Sequence, residues 1–132
     1  MKILLNGIGR IGKAVLKIAL ENKLLNIVAI NEINLNIKSI AYTINYDSTY
    51  GTIDDKYRVV DNYIVNSTNK IEILNHHSLA DIDLQDIDII IDASGSEVDI
   101  SLLRKLNVKN IFITHPAKKA DINVILGVNE DK

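Results

Sequence analysis

Apolar residues fall in two rhythms along this chain. Residues 2–6 (Lys-Ile-Leu-Leu-Asn) form a short apolar run that ends in Asn6-Gly7, the pattern of a buried strand entering a turn. From Arg10 to about Asn22, Ile11, Ala14, Val15, Ile18 and Ala19 recur at helical spacing, with Lys13, Lys17 and Glu21 between them. That spacing predicts an amphipathic helix laid on a sheet. A second apolar strand follows at 26–31, completing a βαβ unit with a right-handed crossover. Ile37, Ile40, Ala41 and Ile44 predict another helix over 36–45. The rhythm then changes. Short alternating segments at 57–60, 63–65 and 71–74, separated by Asp61-Asn62 and by residues 66–69, predict antiparallel hairpins. Beyond them the βα alternation resumes, with a strand at 87–92, a helix at 98–106 and strands at 108–114 and 122–126.

The fold class predicted is α/β: a Rossmann-type, doubly wound, mostly parallel sheet with helices on both faces and a small antiparallel hairpin insertion. No internal repeat, low-complexity tract or linker interrupts the pattern, so residues 1–132 are expected to form one domain. Composition narrows the chemistry. With no cysteine, disulfides, thiolate metal sites and cysteine nucleophiles are excluded from these residues. A formal charge of -2 gives no electrostatic reason to expect nucleic acid or an anionic membrane as partner. With one phenylalanine and no tryptophan, an aromatic platform for stacking bases is not expected. No stretch approaches the ~20 apolar residues of a membrane span, and the opening run is too short for a signal peptide. A cytoplasmic location is the expectation.

The sharpest motif is Gly7-Ile8-Gly9-Arg10-Ile11-Gly12, a G-x-G-x-x-G between a predicted strand and a predicted helix. Gly7 would permit the tight turn, Gly9 would let backbone approach a pyrophosphate, and Gly12 would let helix and strand pack closely. The first helical N–H groups, at the positive end of the helix dipole, would face the phosphates. Glu32 ends the second strand about 20 residues beyond the loop, where a carboxylate accepts hydrogen bonds from the adenosine ribose. It would repel a 2′-phosphate, which favours NAD over NADP as cofactor.

These residues open a wider likeness, because the chain resembles the N-terminal domain of the glyceraldehyde-3-phosphate dehydrogenase family over essentially its whole length. Residues 6–12 (Asn-Gly-Ile-Gly-Arg-Ile-Gly) are similar to the family's N-G-F-G-R-I-G, and Ala29-Ile30-Asn31-Glu32 to its A-I-N-D. Tyr46-Asp47-Ser48-Thr49-Tyr50-Gly51 resembles Y-D-S-T-H-G, and Asp92-Ala93-Ser94-Gly95 resembles E-S/C-T-G. Thr114-His115-Pro116-Ala117 with downstream Gly127-Val128-Asn129 is similar to S-A-P-x and G-V-N. The resemblance implies that Gly7, Gly9, Arg10, Ile11 and Gly12 hold the pyrophosphate and that Glu32 takes the ribose. It further implies that Ser94, Gly95 and Thr114 line the track toward the nicotinamide and that Asn6 and Asn31 support the surrounding loops. Departures cluster at the adenine end: Glu32 stands for aspartate, His77 for an arginine, and Glu97 for a phenylalanine. A looser hold on the adenine is expected.

The family's nucleophilic cysteine and its base histidine have no counterpart among these residues, so no catalytic residue is assigned. By the resemblance, a missing or separate catalytic domain is an expected partner. The helix that covers this domain in the family is also absent, which should expose an apolar strip suited to homo-oligomer formation. Other residues read as structural. His76 and His77, adjacent on a strand, would point to opposite faces, so no metal site is predicted. Asp81, Asp83, Asp86 and Asp88 lack the glycine and terminal glutamate of a calcium loop and read as a solvated entry to a strand. Lys118-Lys119 reads as solvated surface, and Asp47-Ser48-Thr49 as a turn. Two functions follow: the NAD-binding part of a dehydrogenase, inactive alone, or a non-catalytic remnant serving as a protein-interaction module.

Overall fold

The computed structural model describes residues 1–22 and 25–131. Strand β1 (Lys2–Asn6) leads into helix α1 (Arg10–Glu21), then β2 (Asn26–Asn31) and α2 (Ile37–Asn45). A two-residue hairpin, β3 (Tyr46–Asp47) and β4 (Gly51–Thr52), follows, and then β5 (Arg58–Val60), β6 (Tyr63–Val65) and β7 (Lys70–Leu74). A 3-10 turn at Leu79–Asp81 precedes β8 (Ile89–Asp92), α3 (Ile100–Leu103) and β9 (Asn110–Ile113). Among the described residues seven strands form one sheet in the order β5-β6-β7-β2-β1-β8-β9. The pairs among β7, β2, β1, β8 and β9 are parallel; β5, β6 and β7 pair antiparallel, as the hairpin pattern predicted.

β1 lies at the centre, and its alternation shows how the sheet is covered. Ile3 and Leu5 face one core with Leu16 and Ala19 of α1 and Ile40, Ala41 and Ile44 of α2. Leu4 faces the other with Leu79, Ile82, Ile90 and Leu103. All three β1 residues are 1% exposed or less, so the period-2 alternation of a strand feeds both layers at once. The two layers differ in thickness. α1 and α2 cover one face, whereas the second face relies on the four residues of α3 and the 3-10 turn.

Three sequence expectations are corrected. His76 and His77 lie past the end of β7, not on a strand, and both border one cleft instead of facing opposite ways. The helix expected over 98–106 is restricted to Ile100–Leu103. Asp99 caps it, its side chain accepting from the N–H groups of Ser101 and Leu102, so residue 98 lies outside. At the other end Lys105 and Leu106 bond three residues back, to Leu102 and Leu103, which tightens the chain into a 3-10 turn. The strand expected at 122–126 does not form. Asn123 exchanges both its amide groups with the backbone of Ala117, at 3.1 and 3.2 Å. Asn129 accepts from Ile125 N–H at 2.6 Å and donates to Asn123 O at 2.9 Å. Side-chain amides thus take the backbone groups that a strand would have offered to a neighbour. Ile122, Val124, Ile125, Leu126 and Val128 are left between 43% and 87% exposed.

Candidate functional site at the carboxyl ends of the parallel strands

Three of the parallel strands end in a polar residue: Asn6 on β1, Asn31 on β2 and Asp92 on β8. Their side chains form a string across the sheet. Asn31 Nδ2 donates to Asn6 Oδ1 at 2.9 Å, and Asn6 Nδ2 donates to Asp92 Oδ1 at 3.1 Å. Asn31 also binds the backbone beyond β7, accepting from His76 N–H at 2.8 Å and donating to His76 O at 2.9 Å. Asp92 Oδ1 accepts from Ser94 N–H at 3.1 Å as well. Asn31 and Asp92 are each 3% exposed, so these partners replace the water both side chains have lost. The string locks four strand ends into one floor, from which the connecting loops rise.

The glycine loop stands on that floor, and its three glycines meet three different demands. Gly7 has φ +94°, and a Cβ there would lie 2.7 Å from Ser94 Cα and 2.8 Å from Ala93 O. At Gly12 a Cβ would lie 2.1 Å from Gly7 O, so the first turn of α1 sits directly on the loop. Gly9 is the opposite case, with nothing within 4 Å of its missing Cβ. Gly9 is also the N-cap of α1, with no side-chain cap and no acidic residue in the first turn. The first intrahelical bond is Lys13 N–H to Gly9 O, so the N–H groups of Arg10, Ile11 and Gly12 have no acceptor inside the helix.

Glu32 closes the loop from the β2 side. Only 8% exposed, its carboxylate accepts from Ile8 N–H at 3.0 Å and from Asn34 N–H at 2.8 Å. The side chain therefore folds back onto the glycine loop, and each oxygen keeps a further lone pair for another donor. Together these groups border a cleft of about 370 Å³. Among its lining residues Glu32, Asp92, Glu97 and Asp99 are acidic, and none is lysine or arginine. Leu79, Val98 and Leu102 give it an aliphatic patch.

Of the site residues expected from sequence, Asn6, Gly7, Gly9, Asn31, Glu32, His77 and Ser94 line this cleft. Gly12 packs beneath it, and Arg10 and Ile11 sit on the exposed first turn of α1. Gly95 (φ +70°) and Thr114 lie outside the lining; Thr114 N–H continues the β8–β9 ladder to Asp92 O at 3.0 Å. Asn34, Asp92 and the aliphatic patch line the cleft without being among the residues expected from sequence. Asp92 was signalled, since it ends its apolar run as Asn6 and Asn31 end theirs. Asn34 contributes a backbone N–H, which no side-chain pattern reveals. Away from the cleft, Asp83 caps Gln85 N–H, and Asp88 receives Lys2 N–H at 2.8 Å and pairs with Lys109 at 3.5 Å.

The model of the glyceraldehyde 3-phosphate dehydrogenase NAD binding domain matches residues 1–100. The chain belongs to that family. Similar relatives include glyceraldehyde-3-phosphate dehydrogenase 1 of Kluyveromyces lactis, 35% identical, with 100% of this chain aligned to 41% of the relative. Glyceraldehyde-3-phosphate dehydrogenase 2 of Staphylococcus aureus (strain MRSA252) is 37% identical over 98% of this chain and 40% of its own. Glyceraldehyde-3-phosphate dehydrogenase 1 of Schizosaccharomyces pombe is 35% identical, with shares of 99% and 40%. The chain thus spans about 40% of the length of the relatives it matches.

NAD is the cofactor of this domain family, and the residues fit it. An uncapped helix N-terminus beside a glycine with open space over it supplies donors and clearance for a pyrophosphate. A fixed carboxylate with free lone pairs suits ribose hydroxyls, and Leu79, Val98 and Leu102 offer an apolar surface. Among the described residues no helix is long and apolar enough to cross a membrane.

Proposed function

We propose that residues 1–132 act as one NAD-binding unit of a glyceraldehyde-3-phosphate-dehydrogenase-like oxidoreductase. The observation that carries this reading is the contrast among the three glycines: two are filled by the protein itself, and Gly9 alone is open, at the bare N-terminus of α1. In this reading the N–H groups of Arg10, Ile11 and Gly12 bind the pyrophosphate, and Glu32 orients the adenosine ribose. Ser94, Gly95 and Thr114 lead toward the nicotinamide, whose ring is the hydride carrier when bound. His77 borders the adenine end. Thiohemiacetal chemistry on an aldehyde needs a thiolate. These residues contain no cysteine, so the reading assigns the reactive thiol to a catalytic partner domain and expects the 132-residue chain alone to be inactive. A cytoplasmic location belongs to the same reading.

Titration with NAD and NADP, followed by thermal unfolding, tests it. Ligand at ten times its dissociation constant adds about 1.4 kcal/mol, or roughly 3–8 °C for a domain of this size. A shift of that order with NAD and none with NADP is the expected result. Absence of any shift at millimolar NAD refutes it. One observation favours a second reading, a protein-interaction module or self-associating remnant: the exposed run at 122–128, in which Leu126 is 87% and Val128 73% exposed. Failure to bind NAD, with concentration-dependent self-association in sedimentation, would put that reading first.

A further inference from the structure

Helix α1 is held at two points in its first turn. Gly12 rests on Gly7 O. Lys13, about 100° further round the axis, pairs with Asp47, Nζ to Oδ2 at 2.5 Å, with side-chain exposures of 22% and 5%. Lys13 also closes the turn, because its N–H makes the first intrahelical bond. Asp47 is itself fixed. Its Oδ1 accepts from Thr49 N–H at 2.7 Å and Tyr50 N–H at 2.6 Å, and it pairs with Gly51 across the β3–β4 hairpin. One helical turn on, Lys17 Nζ donates to Tyr50 O at 2.5 Å. Two successive turns of α1 therefore grip one hairpin, which contributes nothing to the cleft lining.

We propose that Asp47 is a positioning residue for phosphate binding: through Lys13 it fixes the rotation of α1 and so the aim of the N–H groups at its start. The inference rests on the NAD reading above. A rotation of about 15° on a backbone cylinder of radius about 2.3 Å moves those groups by about 0.6 Å, beyond the ~0.5 Å tolerance of a preorganised site.

The test is calorimetric titration of wild type and Asp47→Asn with ADP, which carries a pyrophosphate, and with adenosine, which carries none. Electrostatics and positioning predict opposite signs. Removing the Asp47 charge releases the positive field of Lys13 beside the phosphate site, so a purely electrostatic role tightens ADP. A positioning role weakens ADP by about fivefold to tenfold, through loss of aim in charge-assisted bonds, and leaves adenosine within about twofold. ADP binding unchanged or tighter overturns the inference, as does an equal loss for both ligands, which marks general destabilisation. Wild type binding neither ADP nor NAD overturns the NAD reading itself, a result distinguishable from the others. If Asp47→Asn shows no cooperative unfolding, Lys13→Gln replaces it and leaves the Asp47 turn capped. Its weakening of ADP must then persist at about 0.5 M salt, where screening over about 4 Å suppresses a direct charge effect; recovery of affinity there overturns the inference.

Discussion

Gly9 and Gly12 lie three residues apart in one motif, and the same substitution to alanine at each has opposite consequences. At Gly12 intrinsic helix propensity favours alanine by about 1 kcal/mol. The new Cβ, however, would lie 2.1 Å from Gly7 O, and a backbone oxygen cannot turn aside. Helix and loop must separate by more than 1 Å, an overpacking at the upper end of the usual range, about 3 kcal/mol. The net loss is about 2 kcal/mol, or roughly 6–10 °C in Tm at 3–5 °C per kcal/mol for this chain length. At Gly9 the backbone is extended (φ -71°, ψ -161°), a conformation open to alanine, and nothing lies within 4 Å of the added methyl. Stability should fall by only about 0.5–1 kcal/mol, because alanine is a poorer N-cap than glycine. NAD affinity should fall by at least about 100-fold, or about 2.7 kcal/mol, because the methyl occupies the space assigned to the pyrophosphate. Thermal unfolding with and without NAD reads both effects. A Gly12→Ala chain as stable as wild type would refute the tight seat of α1 on the loop. A Gly9→Ala chain that binds NAD normally would refute the placement of the phosphates.

Asn31→Ala should destabilise the chain by about 3 kcal/mol, since it breaks three hydrogen bonds and strands buried partners on Asn6 and His76; chemical denaturation measures this, and a loss under about 1 kcal/mol would show that the string does not hold the strand ends. Two titrations frame the pH range. Lys13, with the Tyr50 and Thr49 amides, lowers the Asp47 carboxyl to about 2, so its stabilisation is complete above the ordinary carboxyl value of 3.8 and is lost as pH falls toward 2. Burial raises the Tyr57 hydroxyl to about 12, so stability falls as pH rises from 10, where the unfolded tyrosine ionises, toward 12. Circular dichroism across both windows should show Asp47→Asn flattening the acid limb and Tyr57→Phe the alkaline limb.

The fold was largely legible because its signals are local and periodic. Runs such as Ile89-Ile90-Ile91 are apolar on both faces, as strands covered by two layers must be, and α1 and α2 show their buried stripes in sequence. The misread segments are those where a side chain competes for the backbone. Asn123 and Asn129 turn an apolar run that looks like a strand into a loop, and Asp99 with the 3-10 bonds at Lys105 and Leu106 shortens α3. The cleft was legible where residue type dictates geometry, as at Gly7, Gly9, Gly12 and Glu32. It was hidden where a contact depends on the fold bringing distant segments together. Nothing about Asp47 in sequence reveals that Lys13, on another element, holds it.

Glu32 brings a consequence for how this family member could change. Its carboxylate, assigned to the ribose in the proposed reading, also holds the N–H groups of Ile8 and Asn34. A substitution made to admit an additional phosphate would also strand at least one loop donor: glutamine keeps a single acceptor oxygen, and a side chain with none leaves both Ile8 and Asn34 N–H unpaired. Relaxing cofactor choice and preserving the loop are therefore not separable by a single replacement. A lineage drifting toward NADP would first need a new acceptor for Ile8 or Asn34. In a landscape of single steps, that requirement acts as a ratchet, holding the chain to the choice it already has.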